Sequence, residues 1–210
     1  MRRIRRAYFY YVSLFSFLLL GYSCLSGCKN PFRTRHSPHP TVSEGTWETP
    51  ALPEIVIQNL LYAYNEKIIG NFIQCLCDSF IFSAPEDSID AVNQGRADLF
   101  AGWDRSVEIS VTTSVFNTFR QHPDSLDYVL SIHATPPVPD EKSDTQAILY
   151  RDYDLLVFNL KSASTDTIKG TATFYMHQTS LNWWSIYYWS DVPAIPGKYD
   201  WADFKAKFRQ

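Results

Sequence analysis

Residues 53–82 read PEIVIQNLLYAYNEKIIGNFIQCLCDSFIF, and this stretch decides the fold. Pro53 suits a first helical turn, where its missing N–H leaves nothing unpaired, and Glu54 complements the positive end of the helix dipole. Val56, Leu60, Ala63 and Tyr64 recur at helical spacing, which predicts an amphipathic helix ending near Lys67. Gly70 punctuates the chain. A shorter helical piece carrying Phe72, Ile73, Cys75 and Leu76 is expected next, and Phe80-Ile81-Phe82 reads as a first strand.

Beyond a loop expected at Pro85–Asp90, residues 94–118 carry Leu99, Trp103, Val107, Val111 and Val115 at spacings of four. They read as a helix or broken helix despite the β-branched run Val111-Thr112-Thr113, which is also compatible with a strand. Residues 126–134, 146–160, 168–179 and 183–191 are rich in Val, Ile, Tyr, Phe, Trp and Thr and read as strands. Turn-prone residues 136–144 and 162–167 separate them. A closing helix is expected over residues 199–209, with Trp201, Phe204, Ala206 and Phe208 on its apolar side. Helices first and long strands after them predict an α+β fold, with the N-terminal helices packed on a curved antiparallel sheet. Trp184 and Ile186 share a strand face while Trp189 breaks parity, so a bulge is predicted near Tyr187-Tyr188.

Two of these pieces carry a family resemblance. The layout Pro53-Glu54, Val56, Leu60, Ala63-Tyr64, Phe72, Cys75-Leu76, Phe80, Phe82, followed by Trp184, Ile186, Trp189 and Asp191, resembles the nuclear transport factor 2-like superfamily, which includes SnoaL-like proteins and ketosteroid isomerase. The resemblance spans nearly all of residues 50–192 and implies a cone-shaped domain over residues 53–210. It also implies a pocket between the helices and the concave sheet face. Tyr64, Trp103, His133, Tyr153, Tyr175, His177, Trp184 and Trp189 are the candidate lining of that pocket. In enzymes of the superfamily an Asp, Tyr or His there moves protons, which points to His133, His177 and Asp191. No spacing among them identifies a catalytic pair, and no catalytic residue is assigned.

The amino terminus reads as an export signal. Arg2, Arg3, Arg5 and Arg6 precede an apolar stretch, residues 7–20, interrupted only by Ser13 and Ser16. Fourteen helical residues span about 21 Å against a hydrocarbon core of about 30 Å, the length of a signal-peptide core rather than a span. Leu25-Ser26-Gly27-Cys28 then resembles the lipobox of bacterial lipoproteins. That resemblance implies cleavage between Gly27 and Cys28, acylation (palmitate) at Cys28, and membrane attachment through the lipid. Lys29, where an Asp would retain a lipoprotein at the inner membrane, leans toward the outer membrane, facing the periplasm. Residues 28–52, with Pro31, Pro38, Pro40 and Pro50, read as a disordered, Pro-rich tether.

The 210 residues hold 19 Lys and Arg against 22 Asp and Glu. Removal of residues 1–27 takes four arginines and no carboxylate, leaving 15 against 22, a net −7. With no basic cluster beyond residue 35, nucleic acid is excluded as a partner. Eight glycines leave no phosphate cradle, and six Trp, thirteen Tyr and fourteen Phe imply a sheet-rich core or a ring-lined cavity. No cofactor and no metal are expected. His36 and His39 lack further ligands, and Asp140, Glu141 and Asp144 read as a mobile acidic loop. Arg105 and Glu108 read as a solvated helical pair. Cys75 and Cys77, placed on one helix, point apart and are expected reduced, with Cys75 facing the core. The function expected is a lipid-anchored envelope protein that binds a small apolar ligand or a protein partner without chemistry. The alternatives are an assembly role as a homodimer through the sheet, or a SnoaL-like isomerase, dehydratase or cyclase.

Overall fold

The structure, a computed structural model, describes residues 45–209. The expected signal peptide, Gly27, Cys28, His36 and His39 lie outside the described residues. Helix α1 (Pro53–Glu66) begins with Pro53 in its first turn and ends at Lys67, a left-handed residue with φ 59°. Val56, Leu60, Ala63 and Tyr64 are fully buried along its inner stripe, and each large side chain so buried contributes about 1.5–3 kcal/mol. Helix α2 (Ile69–Cys75) runs directly into strand β1 (Leu76–Ser83). The helix therefore ends between the two cysteines. Cys75 is its buried last residue and Cys77 lies on the strand, both as free thiols.

Residues 85–93 form helix α3 (Pro85–Asn93) rather than the expected loop, with Pro85 at its start and Glu86 and Asp87 in the first turn. Helix α4 (Arg105–Gln121) starts eleven residues later than the spacing suggested. Gly95 and Gly102 adopt positive φ of 72° and 61°, and Asp104 caps the helix by accepting from the Val107 N–H at 3.0 Å. The β-branched run stays helical within it.

Five longer strands and one short one make a single sheet: β1, β2 (Leu126–Ile132), β3 (Glu141–Lys142), β4 (Gln146–Asn159), β5 (Ser164–Gln178) and β6 (Trp184–Pro193). The strand order is β1-β6-β5-β4-β2, with β3 on β4. All pairings are antiparallel except β1 with β6, which is parallel, so the sheet is mixed. Strand β5 begins at Ser164, inside a stretch expected to be turn, because the β4–β5 hairpin closes tightly around left-handed Ala163. Between β5 and β6 the register passes from Met176↔Ile186 to Tyr175↔Tyr188. Tyr187 is the extra residue, and the bulge returns Trp189 to the inner face beside Trp184 and Ile186.

Strand alternation sends Leu149, Tyr153, Leu155, Ala172, Phe174 and Met176 to the concave side, where they are buried. Gly170, opposite Tyr153, is on the same face, and a Cβ there would overlap the Tyr153 hydroxyl and the Val192 carbonyl. A six-residue helix, α5 (Trp201–Ala206), then turns back onto the concave face, with Trp201, Ala202 and Lys205 fully buried. Residues 45–52 lie against α1 and β6: the Glu48 N–H donates to Asn59 Oδ1 at 2.9 Å, and the Trp184 N–H donates to the Pro50 carbonyl at 2.8 Å. Among the described residues no helix is long and apolar enough to cross a membrane.

Candidate functional site

The interior of the cone is the place to look for chemistry, and α5 occupies it. Trp201 packs edge-on to Tyr64, Tyr153 and Trp189, with ring centroids 4.9, 5.1 and 4.6 Å away. Its indole N–H donates to the Tyr64 hydroxyl at 3.2 Å, and its backbone N–H donates to the Tyr153 hydroxyl at 2.9 Å. The Tyr153 O–H donates onward to Asp191 Oδ2 at 3.1 Å, which also accepts from the Ala202 N–H at 2.9 Å. Burial first, then the nearby Asp200 charge, pushes the Asp191 carboxyl well above the ordinary carboxylate range. Burial likewise raises the Tyr153 phenol. A carboxyl beside a phenol is a couple able to move a proton, but its interior side is covered by Trp201 and Ala202 of the same chain.

Deeper in, Lys205 sits in a box of rings. Its Nζ lies 3.4 Å from the Phe82 centroid, 4.0 Å from Trp189 and 5.6 Å from Trp103. It donates to both Glu108 carboxylate oxygens at 3.1 and 3.2 Å. Glu108 also accepts from the Trp103 indole N–H at 2.7 Å and the Thr112 hydroxyl at 3.3 Å. Both charged side chains are 0% exposed. Glu108 is thus no solvated partner of Arg105, which instead approaches Asp78 at 3.9 Å. Burial lowers the Lys205 pKa, and the Glu108 charge opposes that shift. An ammonium held by a carboxylate and ring faces is how proteins recognise alkylammonium groups; here the chain provides the ammonium itself.

The eight candidate lining residues therefore separate. Tyr64, Trp103, Tyr153 and Trp189 come together in the buried core, each at most 2% exposed, as packing and hydrogen-bonding groups. Tyr175 lies on the opposite, convex face, 5.1 Å from the Tyr188 ring. His177 is on that face too, stacked on Tyr187 at 5.4 Å. His133 follows β2 at the surface, bonded to Asp154 at 2.8 Å. It borders a small cleft of about 170 Å³ with Glu54, Leu61 and Arg151. The loop expected to be mobile and acidic is clamped instead: Arg151 grips Asp140 at 2.7 and 2.8 Å, and Glu141 accepts from the Tyr150 hydroxyl at 2.9 Å.

Trp184 and His177 meet in a larger cleft, about 500 Å³, outside the cone at the turn between β5 and β6. Trp47, Pro50, Leu76, Cys77, Leu181 and Trp183 complete its apolar walls, while Gln74, Asp78, Ser79 and Thr179 supply polar groups. Leu181 is 68% exposed and Trp183 47%. Exposed large apolar side chains gathered at a concavity mark an interaction site more often than isolated ones do. Trp47, Trp183 and Lys205 were not singled out by the sequence, and Glu108 was expected on a solvated face. Lys205 and Glu108 carried a signal: Lys205 stands four residues after Trp201, and Glu108 three and seven before Val111 and Val115, on the apolar stripes.

The chain resembles solved structures in shape. One is a protein of unknown function from Mycobacterium tuberculosis, 9% identical over 74% of this chain and 83% of that one, with a TM-score of 0.50. A nuclear transport factor 2-like superfamily protein from Salmonella enterica serovar Typhimurium is 12% identical over 70% and 92%, at 0.48. A ketosteroid isomerase-like protein from Erwinia carotovora atroseptica is 14% identical over 70% and 97%, at 0.45. The shared feature is the fold, helices packed on a curved sheet in an α+β cone. Identities this low speak to the fold alone, which hosts unrelated functions. No protein-family model and no curated protein sequence matches the chain.

Proposed function

We propose that this cone is a non-catalytic binding module, held on the envelope membrane by lipid at Cys28, that takes an apolar ligand or an apolar segment of a protein partner in its outer cleft. The observation that carries the reading is the occupation of the interior by α5. Trp201 and Lys205 fill the space between the helices and the concave sheet face where the resemblance implies a pocket, and their polar atoms are bonded to Tyr64, Tyr153 and Glu108. The outer cleft, by contrast, presents indole and leucine surface to solvent at a volume typical of ligand sites.

The test is titration with the apolar fluorophore 1-anilinonaphthalene-8-sulfonate, followed by its emission and by quenching of tryptophan. Saturable binding that falls at least tenfold in Trp183→Ala/Leu181→Ser, and is unchanged in Tyr153→Phe, supports the outer cleft. Binding lost in Tyr153→Phe but kept in the double variant would return the site to the interior. A second reading, a homodimer through the convex face, is favoured by the half-buried cluster of Tyr175, His177, Tyr187 and Tyr188 there. Sedimentation of the full chain would detect it, with Tyr175→Glu converting dimer to monomer.

A further inference from the structure

Three carboxylates from two separate segments converge beside the cone's inner helix. Asp87 comes from the first turn of α3, Asp200 caps α5, and Asp203 lies one turn further on. One carboxylate oxygen of each lies within 4.8 Å of the others. Asp87 is 7% exposed and Asp200 0%. Asp200 Oδ1 accepts from the Asp203 N–H at 2.9 Å, but Asp200 Oδ2 and Asp87 Oδ2 are buried without a hydrogen-bond partner. Among the described residues no Lys, Arg or His forms an ion pair with any of the three. Buried carboxylate oxygens left bare are costly, and the group that satisfies several at once is a cation.

We infer that Asp87, Asp200 and Asp203 form a divalent-cation site, for Ca²⁺ in preference to Mg²⁺, that clasps α3 to α5. All the donors are hard carboxylate oxygens, which suit Ca²⁺, Mg²⁺ or Mn²⁺ and not the softer metals. The three are irregularly placed and Asp203 is partly open to water, so a flexible shell completed by solvent fits better than the strict octahedron of Mg²⁺. With three acidic ligands and water completing the shell, affinity belongs in the range of extracellular calcium modules, on the order of 10⁻⁴–10⁻³ M. The cation would tie the segment that fills the cone to a helix more than a hundred residues away. This inference is independent of what the outer cleft binds.

The test uses the full chain, stripped with EDTA and returned to Ca²⁺ or Mg²⁺ up to 10 mM. The midpoint of thermal unfolding should rise by about 3–6 °C at ten times the dissociation constant. Asp203→Asn, partly exposed, and Asp200→Asn, which retains a capping oxygen, should fold and lose that rise. Terbium, a calcium substitute excited through neighbouring aromatic rings, should give saturable luminescence in the parent and none in Asp203→Asn. A midpoint indifferent to both ions would overturn the site, as would a rise that persists in both variants. In the first case the carboxyls share a proton instead, and Asp87→Asn would raise the midpoint without any metal.

Discussion

Replacing Lys205 by Met tests whether the buried ion pair organises the cone. Methionine matches the length and much of the volume of lysine, so little cavity is created and the perturbation is mainly electrostatic. Glu108 is 0% exposed and would keep only the Trp103 N–H and the Thr112 hydroxyl as donors. Breaking a buried pair by removing one partner costs about 3–5 kcal/mol, because the other charge is stranded. Loss of the ammonium from the Phe82 and Trp189 faces adds up to about 2 kcal/mol, of which thioether–ring contact restores roughly 1. The expected destabilisation is about 4 kcal/mol, a shift of roughly 2 M in the urea midpoint for an m-value of about 2 kcal/mol/M. The assay is equilibrium unfolding followed by tryptophan emission and far-ultraviolet dichroism. Glu108→Gln, which keeps an acceptor for Trp103, strands the ammonium instead, whereas the double variant strands neither charge and should cost about 1 kcal/mol. The coupling energy should therefore exceed 2 kcal/mol. A Lys205→Met cost below 1 kcal/mol, or additive single and double costs, would refute the reasoning.

Gly170→Ala places a methyl against the Tyr153 hydroxyl and the Val192 carbonyl, so a loss of about 1–3 kcal/mol is expected, read as a lower thermal midpoint; an unchanged midpoint would show the strands can part at no cost. Burial alone would raise the Asp140 carboxyl, but the Arg151 hydrogen bonds, the Tyr150 N–H and the nearby Arg151 and Lys142 charges together outweigh it and hold the group below the ordinary carboxylate range. Its contribution is therefore complete above about pH 4 and lost as pH falls through the depressed value. Asp140→Asn should cost about 2–3 kcal/mol at pH 7, with the gap from the parent closing toward pH 3; a gap that widens on acidification contradicts the sign. Cys28→Ala should release the protein from membranes or leave an uncleaved precursor, and abolish labelling by radioactive palmitate; undiminished labelling removes the anchor from the proposal.

Much of the architecture was readable because the relevant signals are local. The stripe of α1, the alternation along β4 and β5, and the broken parity of Trp189 each depend on neighbours within a few residues. Helix α3 was missed, read as a loop from the turn-forming character of proline, although Pro85 followed by Glu86 and Asp87 is also a helix start. The contents of the cone were not readable in the same way. Lys205 and Glu108 each stood on an apolar stripe, yet they are 97 positions apart and only the folded sheet brings them face to face. The same holds for the outer cleft, where Trp47 meets Trp183 and Trp184 across nearly the whole domain. Residue type nominated rings for a pocket; topology decided which of them became filler and which became surface.

The parallel pairing of β1 with β6 has a kinetic consequence. Leu76 lies opposite Ile186, so this sheet edge cannot form until more than a hundred intervening residues have been gathered. Closing so long a loop is entropically uphill until the pairing rewards it, which makes the step slow. Helix α5 follows β6 in the chain and docks on it, so the rings of Phe82, Trp103 and Trp189 stay uncovered until the last. A nascent chain therefore presents an open, aromatic bowl for most of its assembly, the kind of intermediate that chaperones hold and that aggregates without them.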